Sequence, residues 1–405
     1  MSLQPPYLIS WNLTNQCNLA CGHCYLDATE LTGVDATSAR EALAVTERIA
    51  SFATGAMLVL TGGEPLLRPD IFDIISCATN LGLNPVIGTN GTMLNDEVCS
   101  RLLHAGIKGA GVSLDSITPP FHDKFRGMEG AWEKTIAGIE ALRRASIPFQ
   151  LQFTVTKENR GEIDRAVALA IERGALSINF FFLVCTGRGQ KASDLTPQEY
   201  ETVLEEIVKA EEKFSGQILV RARCAPHIVR VAEKLNPKSP LVRGATAGCI
   251  AAKSYLRISP EGFVTACPYI PANSDSPSVL KTSLKDIWEQ APSFSSLRES
   301  VLTGRCAECG YKDSCGGCRA RALASKGNLM EEDPLCAYEP EENEKRETPK
   351  QTAPTWSTEA QARLEKIPPF LRPMIKKGLE RYAASKGIEL ITPELMAELR
   401  QKAGN

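Results

Sequence analysis

Three cysteines, Cys17, Cys21 and Cys24, stand at the spacing C-x₃-C-x₂-C in the run CNLACGHC. Thiolates this close in sequence can each hold one iron of a [4Fe–4S] cluster. Three ligands leave the fourth iron open, and an open iron is useful only if something small and chelating binds there. Zinc and three unrelated thiols are the competing readings, although zinc prefers four ligands and CxxC pairs. A second candidate is Thr61-Gly62-Gly63-Glu64-Pro65. Its two glycines admit close approach to the backbone, and the Glu64 carboxylate can accept hydrogen bonds from an ammonium group. Taken alone, the same segment also reads as a plain strand–turn–helix connection.

More cysteines follow. Cys249 and Cys267 flank Gly262, then come Cys306-x₂-Cys309-x₅-Cys315-x₂-Cys318 and finally Cys336. The chain holds 14 cysteines but only four histidines, so mixed Cys/His zinc sites have little to draw on. The N-terminal run MSLQPPYLISWNLTNQ lacks a basic region followed by an apolar stretch and a cleavage site, so no secretory signal is read there and a cytoplasmic location is expected. In that compartment the thiols stay reduced, which favours metal binding or catalysis over a disulfide framework. Cys77 and Cys99 lie on helical patterns and read as core thiols. Cys185 is expected at the end of the sixth strand, at the mouth of the barrel, where a substrate-facing role is the lesser of its readings.

These groups need a scaffold, and 405 residues, 43% hydrophobic and 23% charged, supply a core of ample size. Residues 1–220 alternate strands (Tyr7–Leu13, Met57–Thr61, Pro85–Thr89, Gly109–Leu114, Phe149–Val155, Leu176–Leu183) with helices (Thr37–Ala53, Ile71–Leu81, Asp96–Ala105, Ala131–Ala145, Gly161–Arg173, Thr196–Phe214). Six strand–helix repeats predict an α/β fold with a parallel sheet, able to curl into a partial (β/α)₆ barrel with its chemistry at the C-terminal strand ends. Residues 221–338 are punctuated by Cys, Gly and Pro and read as a module organised by metal. Residues 339–355 form a polar linker, and residues 356–405 a small helical domain. There, Ser357 or Thr358 caps a helix running to Ile367, Pro368-Pro369 stops it, a second helix runs from about Pro373 to Gly387, and Thr392-Pro393 opens a third.

CxxxCxΦC followed by GGEP resembles the signature of the radical S-adenosylmethionine (SAM) superfamily, over roughly residues 7–220. His23 stands where that family usually has an aromatic residue, and its ring is still planar. The resemblance implies the partial barrel read above, with Cys17, Cys21 and Cys24 on the cluster and SAM chelating the unique iron. It further implies that Glu64 and the Gly62–Gly63 backbone contact the methionine amino group. Asn90 would lie near SAM, Ser113 and Asp115 would face the ribose, and Arg126 would pair with the SAM carboxylate. One electron from the reduced cluster would cleave SAM to the 5′-deoxyadenosyl radical, with reduced ferredoxin or flavodoxin as donor.

The later cysteines are similar to the SPASM module of radical SAM enzymes, departing at Cys315-x₂-Cys318, where three residues usually intervene. That resemblance implies two auxiliary [4Fe–4S] clusters, one on Cys306, Cys309, Cys315 and Cys336 and the other on Cys249, Cys267 and Cys318. The second lacks an evident fourth ligand: its iron is open to substrate, or Cys224 supplies the ligand. Two structural zinc sites are the competing reading.

For the substrate, the SPASM likeness points to peptides. Two features point elsewhere. The runs Thr186–Gly189, Leu195–Tyr200, Cys249–Tyr255 and Pro268–Pro271 resemble enzymes of heme d₁ synthesis and of the siroheme-dependent heme pathway. Trp356 to about Leu399 resembles the small helical domain of a light-independent protochlorophyllide reductase subunit. Both favour an iron tetrapyrrole, whose propionates Arg372, Lys376 and Lys377 could meet; a solvated helix face is the plainer reading of those three. No winged-helix segment precedes residue 7, so leader-dependent peptide maturation is less expected.

Other classes lose ground. Lys plus Arg is 46 against 48 for Asp plus Glu, without the basic excess of a nucleic-acid binder. No run of 18 apolar residues suggests a membrane span. HExxH, GxxxxGK[ST] and a strand-linked GxGxxG are absent. A non-catalytic zinc or iron–sulfur scaffold remains the alternative outside enzymes.

Overall fold

The computed structural model describes residues 3–28, 35–184, 186–188, 195–244, 248–273, 275–299, 301–339, 354–367, 372–385, 388 and 390–403. The expected α/β alternation is present. Strands β1 (Leu8–Asn12), β2 (Met57–Thr61), β3 (Asn84–Thr89), β4 (Ala110–Ser113), β5 (Phe149–Val155), β6 (Ser177–Phe182) and β7 (Leu219–Arg223) alternate with helices. These are α1 (Ala39–Phe52), α2 (Ile71–Asn80), α3 (Asp96–Ala105), α4 (Pro119–Arg126), α5 (Ala131–Arg144), α6 (Ile163–Glu172) and α7 (Pro197–Lys213). Local signals set their ends. Ser38 and Glu41 form a capping box at α1, Thr196 and Glu199 another at α7, and α3 stops at Gly106 in the left-handed conformation.

The sheet is larger than six repeats require. Its order is β7-β6-β5-β4-β3-β2-β1-β8-β9, where β8 (Tyr255–Ile258) and β9 (Val264–Thr265) come from the cysteine-rich segment. β8 pairs parallel with β1, from Leu8↔Tyr255 to Trp11↔Ile258, and β9 turns back antiparallel on β8. The boundary expected at residue 220 therefore falls inside β7. Met1–Pro340 form one compact unit and Glu341–Asn405 another.

Successive strands step in one direction, and parallel crossovers are right-handed, so the helices gather on one face. Residues on that face are apolar and buried: Ile9, Trp11, Leu58, Leu60, Leu151, Phe153, Ile178, Phe180, Phe182 and Val220 all belong to one continuous core. Because strand side chains alternate, the alternate residues face the other way, and many of them are polar: Asn12, Thr61, Ser113, Gln150, Gln152, Asn179, Arg221 and Arg223. This two-sided chemistry hid β7 from the periodicity reading, because its inward residues are charged. α4 is likewise silent in the sequence, since PPFHDKFR shows little apolar stripe.

In the second unit Thr355–Trp356 pair parallel with Leu390–Ile391, and helices span Thr358–Glu365, Arg372–Ser385 and Pro393–Ala403. Ser357, one of the two expected caps, accepts from the Ala360 N–H. Ala360, Leu379, Ala383, Ile391 and Leu395 form its core. Most of the expected linker, together with Pro368, Pro369 and Gly387, lies outside the described residues.

Candidate active site

The loop bearing Cys17, Cys21 and Cys24 leaves the C-terminal end of β1 with no regular structure of its own, and backbone hydrogen bonds hold it on three sides. On one side the Gly63 and Glu64 N–H groups donate to the Thr14 and Gln16 carbonyls, both at 2.8 Å. A Cβ on Gly63 would overlap the Gln16 carbonyl oxygen. What occupies the space beside this glycine is thus the cysteine loop itself. On the second side the Ala20 and Gly22 N–H groups donate to the Arg126 and Phe125 carbonyls at the end of α4, both at 3.2 Å. On the third, Arg188 donates from its backbone N–H to the Cys24 carbonyl at 3.0 Å and from Nε to the Cys21 carbonyl at 3.0 Å. The sequence flagged the Thr186–Gly189 run only as a likeness and assigned Arg188 no role.

Glu64 is fully buried beneath this loop. Its carboxylate accepts from Thr89 Oγ1 at 2.8 Å, the Asn90 N–H at 2.9 Å and the Leu66 N–H at 3.2 Å. Burial pushes its pKa up to about 7, against the pull of those donors. Asn90 extends the tie: its Nδ2 donates to Asn18 Oδ1 at 2.8 Å, and its Oδ1 accepts from the Thr92 N–H at 2.9 Å. The ends of β2 and β3 and the cysteine loop thus form one hydrogen-bonded body.

Asp115 and Arg126 are brought together, and their partners are each other. Arg126 Nη2 meets Asp115 Oδ2 at 2.5 Å, both side chains are buried, and Arg126 Nη1 points at Cys21 Sγ at 3.7 Å. The guanidinium expected to meet a cofactor carboxylate is therefore already countered by a protein carboxylate. Asp115 Oδ1 also accepts from the Thr154 N–H at 2.8 Å. Ser113 lies on the same polar sheet face, half-buried. His23 stacks on Phe125 with ring centroids 4.1 Å apart and planes 7° apart. Burial pushes its pKa down to about 4, so the ring is neutral at pH 7 and acts as the expected planar group.

The cysteine-rich module brings its thiols into two sets. Burial raises the Cys267 pKa, and the neighbouring thiols Cys249, Cys224 and Cys318 add to the effect. In the other set, burial pushes Cys315 up to about 12, with Cys336 and Cys306 also contributing. Tyr311 and Tyr338, edge to face with centroids 5.8 Å apart, bring the Cys309 turn beside the Cys336 turn. Beneath them lies a buried polar network that the sequence does not signal. Arg321 pairs with Asp333 through two hydrogen bonds of 2.8 Å, Asp333 Oδ2 accepts from the Cys318 N–H at 2.7 Å, and His227 Nδ1 meets the Tyr200 hydroxyl at 3.0 Å. Tyr200 sits on α7, and the Arg321 guanidinium lies over its ring at 5.4 Å, which fastens the module to the barrel.

These sites fit iron–sulfur clusters. Backbone N–H groups point at Cys17 Sγ (from Leu19, 3.4 Å), Cys309 Sγ (from Tyr311, 3.4 Å) and Cys315 Sγ (from Gly317, 3.5 Å). Such donors favour thiolate and tune a bound cluster. Among the described residues no three His, Cys, Asp or Glu side chains converge as a single ion requires. A four-iron cluster asks for wider spacing, since each thiolate holds a different iron. Among the remaining expected residues, Cys99 is a buried core thiol, Cys77 is half-buried on α2, and Cys185 lies outside the described residues. In the second unit Arg372 donates to the Ile367 and Glu365 carbonyls, capping the preceding helix. Lys376 faces Glu380 at 4.0 Å on the same helix, and the Lys377 side chain is outside what the structure describes.

Comparisons with known proteins agree with this geometry. Residues 11–170 match the radical SAM superfamily, residues 249–319 an iron–sulfur cluster-binding domain (SPASM), and residues 356–400 the proto-chlorophyllide reductase 57 kD subunit. The AdoMet-dependent heme synthase of Methanosarcina barkeri is 39% identical over 83% of this chain and 97% of its own. The pre-heme d₁ synthase of Dinoroseobacter shibae is 30% identical over 82% of this chain and 86% of its own. Among solved structures, Streptococcus suis SuiB bound to S-adenosylmethionine superposes with a TM-score of 0.69 at 17% identity, over 83% of this chain and 78% of that one.

Two substitutions test the packing. Gly63→Ala should cost about 1–3 kcal/mol through forced overlap and lower the iron bound on reconstitution. Gly161→Ala, where a Cβ meets nothing within 4 Å, should do neither. Urea midpoints and iron counts check both. Asp115→Asn leaves Arg126 buried without a counter-charge and should cost about 3–5 kcal/mol. Adding Arg126→Met should recover part of that loss in the same urea assay.

Proposed function

The chain belongs to the radical SAM superfamily, and we propose that its substrate is an iron tetrapyrrole whose carboxylate side chains it modifies. When bound, the reduced cluster supplies the electron that cleaves SAM to the 5′-deoxyadenosyl radical, which takes a hydrogen atom from the substrate. In this reading Cys17, Cys21 and Cys24 hold that cluster. The hydrogen-bonded body of Gly62, Gly63, Glu64 and Asn90, with Ser113, lines the SAM site. Asp115 and Arg126 act there as a pair, Arg126 directing its remaining N–H at Cys21. The auxiliary clusters sit on Cys306, Cys309, Cys315 and Cys336, and on Cys249, Cys267 and Cys318. Reduced ferredoxin or flavodoxin is the proposed donor, in the cytoplasm.

One observation carries the substrate reading. Arg221 and Arg223 point from β7 toward the polar sheet face, across from Asn179 and Phe181. Arg223 Nε donates to Asn179 Oδ1 at 3.0 Å, and no carboxylate is among the charged groups that act on it. Burial lowers the Arg223 pKa, and Arg221 lowers it further. A half-buried guanidinium with no carboxylate partner leaves N–H groups free to take a substrate carboxylate through forked hydrogen bonds. Propionate and acetate side chains supply such carboxylates. Their methylene hydrogens are not acidic, which is why a hydrogen-atom route suits them. The names of the relatives lean the same way, and the C-terminal likeness to a protochlorophyllide reductase subunit adds to it.

The test is anaerobic reconstitution, then reaction with dithionite, SAM and either iron-coproporphyrin III or didecarboxysiroheme. Substrate-stimulated 5′-deoxyadenosine and loss of a side-chain carboxyl by mass spectrometry are expected. Slow cleavage that no tetrapyrrole stimulates would overturn the substrate and turn attention to peptides. In Soret titrations, Arg221→Met with Arg223→Met should weaken tetrapyrrole binding about ten- to hundred-fold, the scale of a lost charged hydrogen bond. Arg223→Lys should recover only part, having no fork.

A further inference from the structure

Cys249, Cys267 and Cys318 are three ligands for a cluster that takes four. A fourth thiol stands beside them in space, although it is far from them in sequence. Cys224 directly follows the last residue of β7, at the C-terminal end of the sheet where the first cysteine loop also lies. β7 pairs with β6 up to Phe181↔Arg223. Just past β6, Val184 packs in one apolar cluster with Cys318 and Ala320, and Cys267 packs against it. The ends of β6 and β7 therefore converge on Cys267 and Cys318.

The backbone makes the same point. Cys224 has φ 56, in the left-handed region. Glycine, asparagine or aspartate would sit there at lower cost, and cysteine has no comparable local hydrogen bond to offer. A side chain held in a disfavoured conformation at a strand end, among other thiols, is the pattern of a functional constraint. Burial pushes the thiol up to about 12, and Cys318 and Cys249 are among the groups that act on it. Beside it, the guanidinium of Arg321 pairs with Asp333 on one edge, while its Nη1 is buried without a partner. A cluster carrying four thiolates is more anionic than one carrying three, and this cation offsets part of that charge.

We infer that Cys224 is the fourth ligand of the auxiliary cluster held by Cys249, Cys267 and Cys318, supplied by the barrel rather than by the cysteine-rich module. The inference rests on the proposed grouping of those three cysteines. A cluster ligated by four protein thiolates has no iron free for a substrate atom, so its part in the reaction is electron transfer. The same ligand fastens the last barrel strand to the module.

The experiment uses the full chain with Cys17, Cys21 and Cys24 all changed to Ala, which leaves the auxiliary clusters alone. About eight irons are expected, from two four-iron clusters, with a dithionite-reduced EPR spectrum that cyanide does not alter. Cys224→Gly removes the thiol and suits the left-handed backbone, so the chain keeps its fold. It should either fall to about four irons or keep its iron and show one cluster signal that cyanide shifts. Unchanged iron, an unchanged spectrum and no response to cyanide in Cys224→Gly would overturn the inference, as would a cyanide shift in the parent. Cys249→Ala separates the two levels. If it too changes nothing, the grouping fails and the inference with it. If it loses or opens a cluster while Cys224→Gly does not, only the fourth ligand is wrong.

Discussion

The structure turns on how closely an irregular loop can be pressed against the end of a parallel sheet. A loop carrying three cysteines has no ladder of its own, yet a cluster demands thiols held in fixed places. Backbone-to-backbone contact meets that demand. Where β2 ends, Gly63 leaves room for the Gln16 carbonyl, and the N–H groups of residues 63 and 64 lock onto the loop. The end of α4 and the Gly187–Arg188 turn close the other sides, with Cβ positions at Gly127 and Gly187 that would likewise strike loop carbonyls. A Cβ at any of these three glycines forces the loop backbone to shift.

That constraint shapes the electrostatics. Packing the loop tightly buries charge, and buried charge must be paired. Asp115 with Arg126 and Asp333 with Arg321 are such pairs, each beside cysteine sulfur or its backbone. Both keep a cation near thiols that would repel one another as thiolates, and so prepare the ground for iron. Arg221 and Arg223 depart from the pattern. Like Arg257 on the same face, whose Nε donates to Asn12 Oδ1, Arg223 donates to an amide oxygen rather than to a carboxylate, and the proposed substrate would bring the missing charge.

The cysteine-rich module is not a separate bead. β8 extends the barrel sheet through β1, and Arg321, paired with Asp333, lies over the ring of Tyr200 on α7. A continuous sheet holds the cysteine-rich module at a fixed distance from the first cysteine loop, as a flexible linker would not. The second unit has its own core, and Arg372 serves there as a helix cap.

Much of this was legible in the order of residues, because it depends on neighbours in the chain. Cysteine spacing is local, so the C-x₃-C-x₂-C run and the CxxC pairs stand out in the sequence, whereas the division of the later cysteines into two sets came only from a resemblance. Helix caps such as Ser38 and Thr196 are local too, and the outward faces of the strands follow a period of two. What the sequence could not reveal depends on strands meeting across long separations. β7 carries arginines that break the apolar pattern, and only its pairing with β6 makes it a strand. Asp115 and Arg126, read separately as ligand contacts, become partners because α4 folds back over the end of β4. For Cys224 the sequence leaves two readings open, an iron free for substrate or a fourth thiol, and the convergence of β6 and β7 on Cys267 and Cys318 favours the second. Local chemistry determines which residues are able to bind. The tertiary fold decides which of them meet, because burial and pairing energies depend on distances that chain order does not contain.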